Sequence, residues 1–358
     1  MKTTVLVMLL LVSFQSFRAD NIAAKTDGFE PMYFPPVSND NWESVTPSQL
    51  GWDTAAIEDL KNFLTLKNTK SFMILVNGKI AMEEYFNGHS ASAYWQWNSA
   101  GKALTSAAIG IAQQQGLLDI DDKVSKYLGK GWSAESAEKE DLITIRNLLS
   151  MTSGLNDQKQ IVKRRNLTYL ADSDSRWSYS NVFQLLMKVI ESAGGQDFKT
   201  YFDSEIGSKI GMKGQWKFGP IFKIYHSNTR SMARFGLLAL NNGNWDRTEI
   251  INENYFKESI SSSQIINPAY GYLWWLNGKS KFMLPRSQKI FNGQLIPNAP
   301  SDMYAALGAQ DQKLYVIPSK KMVIVRMGNS GNPKNSDFAS SGFDKELWDK
   351  INSVIGTD

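Results

Sequence analysis

The chain has 358 residues, 42% of them hydrophobic and 21% charged, enough for a large core and unlike a disordered chain. Lys and Arg number 39 against 35 Asp and Glu, a net charge of +4 with no basic stripe, which is too little for a nucleic-acid footprint. Cysteine is absent and histidine occurs only as His89 and His226, which excludes thiolate nucleophiles, iron–sulfur clusters, disulfide scaffolds and multi-histidine zinc sites.

In chain order, Met1-Lys2 and the apolar run Val5–Val12 read as a secretory signal peptide over residues 1–19, with cleavage placed as late as about residue 24. The run is too short to span a bilayer. This predicts an exported protein, periplasmic or extracellular, with no stable membrane anchor once the leader is removed. Residues 20–48, with Pro31, Pro35, Pro36 and Pro47, read as an extended lead-in. Asp53 is placed to cap a helix with Ile57, Leu60, Phe63 and Leu64 on one face. Asn77-Gly78 between Phe72–Val76 and Lys79–Met82 marks a two-residue hairpin. From Ser99 to near Gly116 the residues are small and apolar almost all round, as in a helix buried on most sides. Helical patterns follow at 143–149, 182–193, 198–206 and 231–241. Strand-like runs stand at 303–307, 313–317 and 322–327, and a helix over 343–354 ends the pattern. Strands at both ends of a helical block predict an α/β fold with one antiparallel sheet flanked by helices. The sheet domain would take residues 49–116 and 266–358, and a mostly helical domain, 117–265, would be inserted in it.

Ser99 and Lys102 lie at i and i+3, one turn apart on one helix face. A serine hydroxyl is a weak nucleophile until a neighbouring base takes its proton, and a lysine amine can do so where burial lowers its pKa. This route needs no histidine, which suits a chain without a G-x-S-x-G elbow. Taken alone, the pair better fits a capping serine with an outward lysine, and Ser136/Lys139 has the same spacing among charged neighbours. Tyr179-Ser180-Asn181 supplies a phenol able to shuttle a proton and an amide able to hold a polar group. Tyr85-Phe86-Asn87 has the same form but precedes the serine. Trp97, Trp177 and Trp275 flank these motifs as candidate pocket walls or as core.

Ser99-Ala-Gly-Lys102 followed by Tyr179-Ser-Asn181 resembles the first two motifs of the penicillin-recognising serine hydrolases. Within them the chain is similar to the branch of class C β-lactamases, D-alanyl-D-alanine carboxypeptidases, esterases and 6-aminohexanoate-dimer hydrolases. Segments 118–128, 143–155, 227–238 and 270–275 match in the expected order, from about residue 48 onward. The resemblance implies Ser99 as acylated nucleophile, Lys102 as general base, Tyr179 as proton shuttle and Asn181 as polar partner. At the third motif, relatives carry Lys-Thr-Gly or His-Thr-Gly, whereas this chain has Leu307-Gly308-Ala309-Gln310. Gly308, Ala309 and Gln310 would border the oxyanion and substrate, with the N–H groups of Ser99 and Ala309 as oxyanion donors. Loss of the cation disfavours β-lactam or D-Ala-D-Ala substrates, whose carboxylate it helps to hold. The expectation is an exported serine hydrolase, a carboxylesterase or amidase, acting on a small neutral ester, amide or peptide. The alternatives are a β-lactamase or D-Ala-D-Ala carboxypeptidase, or a non-catalytic penicillin-binding-like protein. No cofactor or metal and no nucleic-acid partner is expected, and no signal for an oligomeric state is visible.

Overall fold

The structure is a computed structural model that describes residues 31–218, 222–333 and 342–356. The leader expected over 1–19 lies outside the described residues, as does the first part of the lead-in. From Met32 onward the chain forms one compact unit. Among the described residues no helix is long and apolar enough to cross a membrane.

The main sheet has six strands, all pairs antiparallel, in the order Lys79–Tyr85, Thr69–Val76, Met322–Gly328, Gln312–Ile317, Tyr304–Gly308, Trp275–Leu276. It is thus assembled from both ends of the chain. Asn77 (φ 48°) and Gly78 (φ 82°) both take the left-handed conformation that a tight hairpin needs. A Cβ at residue 78 would stand 1.9 Å from the Tyr33 carbonyl oxygen. Helix Thr54–Leu66 starts at Asp53, whose carboxylate accepts from the Ala55 and Ala56 N–H groups, and it packs with helix Phe343–Ile355.

Opposite residues of an antiparallel pair share a face. Lys313 lies opposite Arg326, and Tyr315 opposite Ile324, so these four side chains stand on one face. That face carries helix Phe343–Ile355, whose Asp344 bonds Lys313 and Tyr315. The other face carries helix Thr229–Leu240. Its Thr229 donates to the Ser71 hydroxyl at 2.6 Å, and its Ala239 carbonyl accepts from Tyr304 at 2.8 Å. A helix from within the 117–265 block therefore rests directly on the sheet.

The sequence reading of that block as mostly helical omits a second, three-stranded sheet, ordered Trp95–Gln96, Lys223–Ser227, Gly214–Phe218. Its strands are short and interrupted by Lys217 and Lys223, which hides the alternation; Trp216 against Tyr225, with ring centroids 5.1 Å apart, holds the pair together. The predicted nucleophile helix is also refined. Residues Asn98–Gly101 form a 3-10 turn, and the α-helix proper is Lys102–Gln114, with every residue from Lys102 to Ala112 buried.

Candidate active site

Ser99 sits in the Asn98–Gly101 turn, one residue after a strained position, for Asn98 has φ 50°. Asparagine tolerates that conformation better than most residues, and here its side chain is used as well. Asn98 Nδ2 donates to the Ala309 carbonyl oxygen at 2.8 Å, joining the turn to the end of strand Tyr304–Gly308. Gly308 allows the two to press together. A Cβ there would stand 2.3 Å from the Trp97 carbonyl oxygen and 3.1 Å from the Ala100 nitrogen.

Lys102, at the first position of the helix, stands with its Nζ 2.9 Å from Ser99 Oγ, in hydrogen bond. The side chain is 1% exposed. Its ammonium position is walled by the rings of Phe183 (4.4 Å to the centroid), Tyr179 (4.8 Å) and Phe222 (5.4 Å). Among the described residues no carboxylate forms a salt bridge with it. Burial without a counter-charge disfavours the protonated form and brings the Lys102 pKa down from 10.5 to about 7. The facing rings offer some cation–π compensation, and desolvation outweighs it.

The Tyr179 ring centre stands 4.8 Å from Lys102 Nζ. Burial pushes its phenol up to about 12, with the neighbouring Ser99 hydroxyl opposing the rise. At neutral pH the phenol is therefore protonated and is a donor, while the amine beside it is poised to accept. The three side chains that the sequence brought forward as nucleophile, base and shuttle do converge.

The other expected residues fall in several places. Asn181 is buried, and its side-chain amide donates to the Gln160 carbonyl at 3.0 Å; the bond it makes is to that loop. Ala309 follows the strand end, and its carbonyl faces Asn98. Gln310 (φ 59°) and Asp311 (φ 58°) turn the chain through two left-handed residues. The Gln310 side chain meets Gln96. The three tryptophans are not open pocket walls. Trp97 is fully buried, edge-on to Tyr225, and donates to the Ser227 hydroxyl at 2.8 Å. Trp177 and Trp275 are buried too, each with its ring centroid 5.7 Å from that of Tyr179, and Tyr270 completes the group at 5.9 Å. They brace the Tyr179 ring from behind, because indoles of that size bury more favourably than they line water.

Sequence reasoning missed what holds the left-handed turn. Arg326 is fully buried and donates to the carbonyls of Gln310 and Asp311, both at 3.0 Å, and to those of Lys67 and Asn329, both at 2.8 Å. Burial lowers its pKa to about 10, so it keeps its charge at neutral pH. The available signal was a lone arginine in the apolar run 322–327, since a charge in such a run must find partners inside. Phe183 and Phe222, the walls of Lys102, carried no signal of their own. Among the described residues no group of three or more His, Asp or Glu could hold a metal ion.

The family model described as Beta-lactamase matches residues 69–344, and the chain belongs to that family. It is a Beta-lactamase-family hydrolase. An uncharacterized protein of Alkalihalophilus pseudofirmus is 26% identical over 309 residues, 75% of this chain and 86% of that protein. Among solved structures, a candidate 6-aminohexanoate-dimer hydrolase from Bacillus anthracis superposes with a TM-score of 0.68 at 18% identity, covering 90% of this chain and 88% of that one. A penicillin-binding protein from Bacillus halodurans does so with 0.60 at 16% identity, covering 82% and 99%. These structural likenesses show the shared antiparallel-sheet-and-helix fold.

Proposed function

We propose that the protein is an exported serine hydrolase that works through an acyl-enzyme on Ser99. The observation that carries this reading is the 2.9 Å bond between Ser99 Oγ and a buried amine brought down to about 7. As Ser99 Oγ attacks the substrate carbonyl carbon, its proton passes to Lys102 Nζ. Negative charge gathers on the carbonyl oxygen, toward which the N–H groups of Ser99 and Ala309 donate. When the intermediate collapses, Tyr179 gives its proton to the leaving oxygen or nitrogen and is reloaded from the Lys102 ammonium. Water then attacks the ester, giving its proton to the same pair, and Ser99 leaves with one. Small esters and amides are the substrate class, as the strand end and turn Leu307-Gly308-Ala309-Gln310 bring no lysine or histidine for a β-lactam carboxylate. The apolar run Val5–Val12 behind Lys2 supports export to the periplasm or beyond.

The test is intact mass after exposure to a fluorophosphonate, with turnover measured on p-nitrophenyl esters. A single adduct on wild type, none on Ser99→Ala, and loss of nearly all turnover in that variant are expected. A labelled protein that turns over no ester, amide or lactam would instead be a binding protein on the same scaffold.

A further inference from the structure

Asn98 stands immediately before the nucleophile, and its carbonyl group and the Ser99 N–H belong to one planar peptide unit. A shift of Asn98 therefore moves the Ser99 N–H. The side chain of the same residue donates through Nδ2 to the Ala309 carbonyl oxygen at 2.8 Å. Ala309 carries the second N–H assigned above to the oxyanion. One side chain thus ties together the two segments whose N–H groups must point at a single oxygen.

The strand side of this tie is anchored to the sheet. Gln312 Nε2 donates to the Gln310 carbonyl at 2.9 Å and to the Gly328 carbonyl at 2.6 Å. Arg326 holds the Gln310 and Asp311 carbonyls, both at 3.0 Å. Gly308 sets how closely the two segments approach, since a Cβ there would meet the Trp97 carbonyl oxygen at 2.3 Å. The Asn98 bond sets how far they part. The backbone does not by itself call for asparagine, because glycine takes a φ of 50° at least as readily. What asparagine adds is the Nδ2 donor.

We propose that Asn98 is the positioning residue of the oxyanion hole, holding the Ser99 and Ala309 N–H groups at the separation that a tetrahedral oxyanion requires. The inference rests on the serine-hydrolase reading above. The Lys102 amine is walled by Phe183, Tyr179 and Phe222, so loss of the Asn98 side chain weakens the grip on the oxyanion and leaves the base as it was.

The test compares p-nitrophenyl butyrate with its thionoester, in which sulfur replaces the carbonyl oxygen and accepts N–H bonds weakly. Wild type should favour the oxygen ester by about 100-fold in kcat/KM. Asn98→Gly keeps the backbone conformation and loses the donor. Its kcat on the oxygen ester should fall by about 10–100-fold with KM little changed, and its preference for oxygen should fall to about tenfold or less. Asn98→Asp keeps the shape but sets a carboxylate against the Ala309 carbonyl, and its preference should drop to that of hydroxide in water. In both variants the midpoint of the pH–rate profile should stay at about 7. The preference is a ratio read within one protein, so a loss of folded enzyme does not move it. No preference in wild type, a preference kept in both variants, or a displaced midpoint overturns the positioning role while the hydrolase reading stands. Turnover of neither ester by wild type counts against the hydrolase reading itself and overturns both.

Discussion

Among the described residues two lysines are buried almost completely, and their surroundings are opposite. Lys313, on the sheet face under helix Phe343–Ile355, stands 2.6 Å from Asp344 and 3.3 Å from Asp311. Lys102, at the head of the central helix, meets a serine hydroxyl and aromatic rings. The first is a charge held by charges, as burial of an ion requires. The second is an amine from which the fold has withheld a carboxylate, so its proton is loosely held near neutral pH. Equal burial therefore yields a structural ion in one place and a candidate base in the other, and what differs is the partner.

That contrast can be broken at either lysine. Lys102→Met keeps the side-chain length and apolar packing but removes the proton acceptor, so kcat/KM on p-nitrophenyl esters should drop by about 10³–10⁴ with the protein still folded. Lys313→Met should do the reverse. It removes the ammonium that pairs with Asp344 and Asp311, so denaturant unfolding should show a loss of about 3–5 kcal/mol, and adding Asp344→Asn should recover part of it.

The pH dependence of stability sharpens the comparison further. Lys102 titrates in the ordinary lysine range when unfolded and near 7 when folded. Between those values the unfolded chain holds a proton that the folded one lacks, so this group makes stability rise with pH above 7 and leaves it level below. The whole increment is roughly 5 kcal/mol, and it should be missing from the slope measured on Lys102→Met. A smaller effect is expected at the strand end. Gly308→Ala would force a Cβ against the Trp97 carbonyl, moving Ala309 away from Ser99. Its kcat should fall by about 10–100-fold with KM for small esters little changed.

What was legible in the sequence was local or ordered. Asn77-Gly78 announces its hairpin because the turn's backbone demands are met by two adjacent residues, and Asp53 caps its helix through neighbours two and three residues on. Ser99 with Lys102 is a one-turn spacing, yet it gained meaning only beside Tyr179 and the segments that follow in order. The remainder depends on distant partners. Nothing near Arg326 in sequence shows that it clamps Gln310 and Asp311, or that Asn98 reaches Ala309, more than two hundred residues away. Trp177 and Trp275 border the motifs, and their sequence fits either a pocket wall or, more readily, core packing. Proximity in sequence does not say which side of Tyr179 an indole takes, and here both took the buried side.

The central claim is that an uncharged Lys102 activates Ser99, and the most direct measurement is the rate of Ser99 labelling by a fluorophosphonate as a function of pH. The rate should rise in proportion to the free amine, with a single midpoint at about 7, and Lys102→Met should abolish both the rise and most of the labelling. A rate that keeps climbing toward the ordinary lysine range near pH 10, or that Lys102→Met leaves intact, would contradict it.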